Sequence, residues 1–326
     1  MRVGLIGAGG IAAAHLDAWQ ALGAEVLLTS RTRPVALAER FGVEIVDDAD
    51  TLIERVDVVG ILSPTPTHPE LALGAIARGR HVVCEKPLAV SAIDAQRIAD
   101  AAASAGVRLF PAHVVRYFDA YRRIKDDVDA GAVGRVQALR LTRTGSGPST
   151  PWFYDEHAGG GLIRDLLIHD IDQALWIAGP VATVSARQDP PSLDGRFAAP
   201  VTARVELTHI GGAATVIEGG WLGGDTPFRT TIEVDGTSGT RRHDSADTST
   251  SSKGGYLPPP SDDAPYRAQI ADFAHAIRTG SPARVTPADG VAAVVVVDAA
   301  YASIAAGGSA IALPDPAGRR GHGLGS

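Results

Sequence analysis

In the stretch GGGLIRDLLIHDIDQALWIAG, Asp165, His169 and Asp172 stand at i, i+4 and i+7. At ~100° per residue a helix carries them on one narrow stripe, with Trp176 on the same line. Leu167, Ile168, Ile171, Leu175 and Ala178 take the opposite side, and Leu166 and Ile177 make the flanks apolar too. A helix apolar almost all round is a buried one. Two carboxylates and an imidazole on such a helix are costly unless they line a cleft or are fully paired. Three chemistries fit the spacing. The stripe is a satisfied buried network, or a metal site built on Asp-x3-His-x2-Asp, or a general acid/base whose ring and tautomer a carboxylate one turn away fixes. The residues alone leave all three open.

A second candidate lies in GRHVVCEKPLAV, where a short β-branched run ends on Glu85, Lys86 and Pro87. Proline biases the residue before it toward an extended backbone and stiffens the turn, with a cis bond as one way of doing so. The plain reading is a polar strand end, and the functional one is an ammonium held at a fixed place. A third candidate opens the chain. VGLIGAGGIAAAHL supplies Gly7, Gly9 and, at the third small position, Ala12, with Gly10 and Ile11 in the turn. Gly7 permits the tight turn, Gly9 lets the backbone approach a pyrophosphate, and Ala12 lets helix and strand pack closely. The helix N-terminus then offers free N–H groups and the positive end of its dipole. A glycine loop between a strand and a helix at the head of a βαβ series reads as a dinucleotide site.

At the end of the next strand, NAD sites usually carry an acid that grips the ribose 2′-hydroxyl. This chain reads LLTSRTRP, with Thr29, Ser30, Arg31 and Arg33 and no carboxylate. Ser30 followed by Arg31 suits a 2′-phosphate, which a guanidinium binds bidentately, so the strand end favours NADP over NAD. Arg33 reads as a solvated helix-start residue.

The elements that must position these groups follow from patterning. A chain of 326 residues suggests about two domains. Strand-like RVGLIG, EVLLTS, VDVVGILS, RHVVCE and GVRLFPAH alternate with helix-like GIAAAHLDAWQAL, RPVALAERFG, HPELALGAIARG and SAIDAQRIADAAASAG. Such alternation gives an α/β fold, a doubly wound parallel sheet covered on both faces. Residues 1–120 are expected to form this nucleotide-binding domain. Residues 121–326 are expected to form an α+β domain with an open, mainly antiparallel sheet. Its strands are RVQALRLTRTG, VTARVELTHI, AATVIEGGWL and RTTIEVDG, and its helices include AYRRIKDDVDAG, YRAQIADFAHAIRTG and PADGVAAVVVVDAAYASIAAG. DSADTSTSSKGGYLPPPSDD reads as a long mobile loop and GRRGHGLGS as a frayed tail. If one face of the second sheet is apolar, a homodimer or homotetramer is expected.

Composition narrows the partners. The net charge of −7 is modest and both signs are interspersed, so no footprint for nucleic acid or a membrane surface appears. A single cysteine, Cys84, excludes an intramolecular disulfide and a thiolate cluster. The N-terminus lacks a signal-peptide layout, and apolar runs such as GVAAVVVVDAAYASIAAG are short and carry Asp298. A cytoplasmic protein is the expectation.

The glycine loop, SPTPTHPELALGAIARGRHVVCEKPLA and GGGLIRDLLIHDIDQALWIAG together resemble the Gfo/Idh/MocA oxidoreductases, the group of glucose–fructose oxidoreductase and inositol dehydrogenase. HVVRYFDAYRRIKDDVDAGAVG, IEVDGTSGT and YRAQIADFAHAIRTGSPARVTPADG extend the resemblance more weakly over nearly the whole chain. The resemblance implies a Rossmann domain holding NAD(P) and hydride transfer to or from a secondary alcohol or ketone of a sugar, cyclitol or similar polyol. It implies that Lys86 is the family's lysine beside the nicotinamide, that Asp165 and His169 are its Asp-x3-His pair, and that Asp172 is its substrate-contacting acid. His169 would exchange the hydroxyl proton, oriented by Asp165, with Lys86 stabilising negative charge or serving as the main acid. Pro64, Thr65, His68 and Glu85 join the cofactor residues, although His68 equally fits a helix start with no ligand. Arg116, Trp152 and Tyr154 are candidate walls of the substrate pocket. Lys86 as an added cation weakens the metal reading, so no metal is expected. Two other functions share the architecture: a glycosidase that uses NAD transiently, and a dinucleotide-binding regulator without catalysis.

Overall fold

The computed structural model describes residues 1–247 and 265–314. These divide into two compact units. The first holds Met1–Arg122, His157–Gly160 and 265–295, and the second holds Arg123–Glu156, 161–247 and 296–314. Most of the loop expected from DSADTSTSSKGGYLPPPSDD, and the GRRGHGLGS tail, lie outside the described residues.

The first unit is built on β1 (Arg2–Ile6), α1 (Ala12–Ala21), β2 (Glu25–Thr29), α2 (Val35–Phe41), β3 (Glu44–Ile45), α3 (Ala49–Glu54), β4 (Val58–Ile61), α4 (His68–Ala77), β5 (His81–Glu85), α5 (Ala92–Ala105) and β6 (Leu109–Ala112). The strands form one parallel sheet in the order β3-β2-β1-β4-β5-β6. Its central strands are apolar on both faces because helices cover both. Register brings Ile6 beside Thr29 and Ile61, Ile61 beside Cys84, and Glu85 beside Ala112. The ends of β1, β2, β4, β5 and β6 therefore form one carboxyl edge, where doubly wound sheets hold ligands. The chain order reverses between β1 and β4. Helix ends follow their residues: Ser91 caps α5 by accepting from the Asp94 N–H, and Gly42 and Gly106 close α2 and α5 at positive φ. The short β3 and α3, the latter capped by Asp48, carry no long apolar pattern and were not expected from the sequence.

After β6 come α6 (Asp119–Asp129) and β7 (Val136–Gly145), then α7 (Ile168–Ala178), β8 (Val181–Asp189), β9 (Val201–His209), β10 (Ala214–Trp221), β11 (Arg229–Gly236), β12 (Thr240–Asp244), α8 (Pro265–Thr279), α9 (Pro287–Ala305) and β13 (Ile311–Ala312). Residues 121–326 are not one unit, because α8 belongs with the nucleotide-binding part. Its Ile270, Phe273, Ala274 and Ala276 enter the core formed by Trp19, Phe110 and Tyr117. Phe273 stacks on Phe110 at 4.7 Å between centroids, and the Tyr117 hydroxyl donates to Asp272 at 2.6 Å. Contacts between residues over 150 positions apart leave no local trace in a sequence.

The second sheet runs β12-β11-β7-β10-β9-β8-β13. It is antiparallel throughout except for the central pair β7 and β10, which is parallel. Alternation sorts its faces. Leu139, Leu141, Val205, Leu207, Ile217, Ile232 and Val234 are buried. The alternate positions carry Arg140, Arg204, Glu206, Glu218 and Glu233, and these pair: Arg140 donates to Glu233 at 2.7 Å and Arg204 to Glu206 at 2.8 Å. At these positions the outward face is charged and paired. Helix α9 is, among the described residues, long and apolar enough to cross a membrane by length and composition. Its Ala293, Val294, Val296, Val297 and Ala300 are buried inside the protein, the packing of a core helix.

Helix α7 lies against the buried face of this sheet. A Cβ on Gly219 would collide with Leu167, so the bare backbone of β10 makes the close approach possible. One buried ion pair pins the helix: Arg143 on β7 donates from Nε to Asp170 Oδ2 at 2.8 Å and from Nη2 to Oδ1 at 3.0 Å. Burial lifts the Asp170 carboxyl above its usual range against the pull of the Arg143 guanidinium. Arg143→Met strands that carboxylate and is expected to cost about 3–5 kcal/mol in urea denaturation, whereas pairing it with Asp170→Leu recovers most of the loss.

Candidate active site

The dinucleotide turn has the geometry its residues suggest. Gly7 holds φ +117°, and a Cβ there would stand 2.6 Å from the carbonyl carbon of Leu62, a backbone atom that cannot move aside. The Gly7 N–H donates to the Thr29 carbonyl at 2.8 Å, which ties the turn to the end of β2. Gly9 and Gly10 are exposed, and no protein atom lies within 4 Å of a Cβ on Gly9. Helix α1 starts after Ile11 with no side-chain cap, its Ala12 N–H donating to the Gly9 carbonyl at 3.0 Å and its Ala14 N–H to the Ile11 carbonyl at 3.1 Å, and the positive end of its dipole faces the turn. This cradle of bare backbone before an uncapped helix fits a pyrophosphate. Beyond β2, Ser30 is half-buried and Arg31 exposed, while Arg33 forms an exposed ion pair with Asp47 at 3.0 Å.

At the end of β5, Glu85 and Lys86 are half-buried and Pro87 is buried, with the Lys86–Pro87 peptide cis. Glu85 Oε1 lies 2.8 Å from Nε2 of the buried His15, and Oε2 accepts from the Lys86 backbone N–H at 3.2 Å. Burial works to raise the Glu85 pKa, but the His15 hydrogen bond, the nearby Lys86 charge and that N–H hold it below the usual carboxylate range. Both Glu85 oxygens are thus engaged inside the protein. His68 is also turned inward: Nδ1 faces the Pro87 carbonyl at 2.9 Å and Nε2 the Ser63 carbonyl at 2.8 Å. Its ring nitrogens have no capacity left for a cofactor, which corrects the expectation for that side chain. In the same loop Pro64 is exposed and Thr65 buried.

Arg116 is not a pocket wall. It is 1% exposed, donates to the Arg284 carbonyl at 3.3 Å and to Asp289 at 3.1 Å, and so ties the start of α9 to the segment after β6. An arginine in a sequence reads as solvent-seeking, and the acid that buries this one is 173 residues away.

In the second unit, Asp165 and Asp172 are buried and His169 is half-buried. The helix that carries them is not regular. Ile163–Leu167 forms a π-turn, and α7 proper begins at Ile168. The wider turn contains Asp165, so the ~100° spacing holds only from Ile168 onward. π-turns occur mostly as single inserted turns and often at functional sites. No sequence rule used above distinguishes such a turn from ordinary α-helix. Asp170, next to His169, was also missed, and its bond to Arg143 fixes the rotation of α7 on the sheet. Tyr154 donates its hydroxyl to the Pro148 carbonyl at 3.0 Å and packs edge-on against Trp221 at 5.0 Å. Trp152 stacks on Phe153 at 4.0 Å, and Phe197 packs against Tyr154 and Trp221. The aromatic cluster is therefore larger than the two residues the sequence singled out.

Among the described residues no group of three or more His, Cys, Asp or Glu side chains has the arrangement to hold a metal ion. Cys84 is buried and its thiol pushed well up by desolvation, which leaves it no nucleophilic character.

A nucleotide cradle at the carboxyl edge of a parallel sheet, with a lysine at the end of β5 on the same edge, defines a Rossmann-fold dehydrogenase. Residues 1–113 match the oxidoreductase family with an NAD-binding Rossmann fold, and residues 121–242 match the GFO/IDH/MocA C-terminal domain. The chain belongs to the Gfo/Idh/MocA oxidoreductases. It is 28% identical to the rhizopine catabolism protein MocA of Rhizobium meliloti over 92% of this chain and 93% of that protein. It is 32% identical to Myo-inositol 2-dehydrogenase of Thermotoga maritima, a match that spans 55% of each chain, about half of that relative's length. Among solved structures, GenD2 from gentamicin A biosynthesis in complex with NAD superposes with a TM-score of 0.88 and 26% identity over 97% of each chain.

The two glycines of the turn are separable by experiment. Gly7→Ala is expected to lower the thermal midpoint, because backbone blocks the added methyl. Gly9→Ala should fold normally yet weaken NADH binding, read by fluorescence titration, by about tenfold, a ~1.4 kcal/mol loss.

Proposed function

We propose that this protein oxidises a secondary hydroxyl of a cyclitol or sugar-like polyol, or reduces the matching ketone. The observation that carries the proposal is Lys86 at the carboxyl edge of the nucleotide-binding sheet, in a chain that also keeps Asp165, His169 and Asp172 on one helical segment. NAD(P), held by Gly7, Gly9, Gly10 and Ile11, supplies a hydride acceptor or donor. The rest of the chemistry belongs to the chain. His169 takes the hydroxyl proton in the oxidative direction and returns it in the reductive one, and Asp165 orients it. Lys86 places a positive charge at the same oxygen and stabilises the negative charge that develops there. Asp172 accepts a hydrogen bond from a second hydroxyl.

Myo-inositol, named in the Thermotoga maritima relative, and inositol, named in a dehydrogenase of Ralstonia nicotianae 33% identical over 55% of this chain, support a cyclitol as the first substrate to try. A levoglucosan dehydrogenase of Pseudarthrobacter phenanthrenivorans, 31% identical over 57% of this chain, extends the class to anhydrosugars. A regulator that only binds dinucleotide has no need of Lys86, Asp165 and His169 together, and this disfavours it. For the cofactor we propose NADP, with Arg31 on the 2′-phosphate. Arg31 is exposed, makes no ion pair among the described residues and follows a strand end without a carboxylate.

The test is a 340 nm screen of inositols, levoglucosan and ketosugars with both cofactors. Turnover of at least one polyol is expected, and its absence from the whole panel contradicts the reading. With that polyol, Lys86→Met and His169→Ala should each lose ~10²–10⁴-fold in kcat while NADH still binds. Near-normal turnover in either removes its assigned role. Arg31→Ala should erase the preference for NADP, and a preference that survives takes Arg31 out of the account.

A further inference from the structure

Lys86 is the middle residue of three, and a buried histidine grips the residue on each side of it. Ahead of it, Glu85 accepts from Nε2 of His15, a fully buried residue of α1 whose ring also lies 5.9 Å from that of Tyr266. Behind it, the Pro87 carbonyl meets Nδ1 of His68 at the start of α4, and the other nitrogen of that ring meets the Ser63 carbonyl after β4. Neither imidazole belongs to the acid–base step proposed above.

From this bracketing we infer that His15 and His68 are positioning residues for Lys86, the first acting through Glu85 and the second through the Pro87 carbonyl. A lysine side chain is a flexible four-carbon stem with a strongly hydrated head, so its own rotamers do not fix the ammonium. The direction in which the stem leaves the backbone is fixed instead, by anchoring both neighbours. His15 anchors Glu85 to the helix that begins at the pyrophosphate turn. His68 anchors Pro87 to the β4 loop, which carries the candidate cofactor residues Pro64 and Thr65. The ammonium is thereby held relative to two parts of the nucleotide cradle at once.

The choice of histidine follows from the two acceptors. Ser63 and Pro87 each present a carbonyl oxygen, and a planar ring with nitrogens on two sides reaches both. The neutral ring donates to one of them, and the protonated ring donates to both. Burial pushes the His68 pKa below its ordinary value, and the two carbonyl contacts pull it back. Glu85 and Lys86 are the charged groups that face the ring, with opposite effects on it. A phenyl ring in place of His68 fills the same space and offers neither carbonyl a donor.

This inference rests on Lys86 acting on the substrate, so its test is built to separate the two claims. His68→Phe is measured in the Lys86 protein and again in the Lys86→Met protein, with NAD(P)+ and the polyol that turns over fastest in the screen. A shift of about 1 Å in a catalytic group can cost ~10²-fold. His68→Phe is therefore expected to lower kcat by about 10- to 100-fold with KM nearly unchanged when Lys86 is present. It should lower kcat by less than about twofold once Lys86 has been replaced, since positioning an absent ammonium has no effect. An equal loss in both backgrounds, or no loss in the first, overturns the inference. The same cycle with His15→Gln covers the case in which His68→Phe does not fold.

A readout free of turnover accompanies it. The sequence has three lysines, Lys86, Lys125 and Lys253, so acetylation by acetic anhydride can be followed at each by peptide mass spectrometry. At fixed pH, His68→Phe should change the rate of Lys86 acetylation by about twofold or more and leave that of Lys125 unmoved. An unchanged Lys86 rate contradicts the clamp. If Lys86→Met itself keeps full turnover, the proposed role of Lys86 fails, and the labelling rate still decides whether the clamp exists.

Discussion

An ammonium can stabilise an alkoxide only if it is delivered to one point, and a lysine stem does not do this by itself. Everything around β5 serves that constraint. The strand is buried on both faces, so its end cannot wander. Glu85 and Pro87 are each hydrogen-bonded to a buried imidazole from a different helix. The parallel register then sets this end level with the end of β6, on the edge that also carries the nucleotide turn. The cradle and the lysine are not two motifs placed in one chain. They are two consequences of one sheet edge.

The second unit meets a related demand by other means. Its imidazole rides on a helix that must not rotate on the sheet beneath it. Interdigitated packing resists rotation, and the bidentate ion pair of Arg143 with Asp170, directly beside His169, adds a directed hold. The π-turn just upstream changes where Asp165 sits along the same segment. Both features carry a penalty, one in desolvation and one in helix geometry, and such penalties are commonly found where a side chain must be held in one place.

How much of this could be read beforehand follows from the range of the interactions. The glycine turn and the βαβ alternation are local patterns, written within one or two elements, and they were legible, whereas of the polar stripe only His169 and Asp172 lie on regular helix. What stayed hidden joins distant residues or departs from a regular period. His15 and Glu85 are 70 residues apart, so their pairing left no local trace, and Glu85 read as a cofactor residue. Arg116 appeared to be a pocket candidate because Asp289, its partner, stands far down the chain. Helix α8 was assigned by its position in the sequence, yet its apolar face completes the core of the first unit. The π-turn fails for a different reason, since its residues would serve an ordinary helix equally well. His68 was legible as a residue of interest, but the carbonyls on its two sides, which decide what it does, are backbone atoms with no signature in sequence.

A crystal structure with NADH and the polyol bound tests the central claim most directly, by the distance from Lys86 Nζ to the substrate oxygen on the carbon facing the nicotinamide. A separation near 3 Å, with Glu85 still on His15 and the Pro87 carbonyl still on His68, is what the account predicts. An ammonium turned away from that oxygen, while both imidazole contacts stay intact, would contradict it.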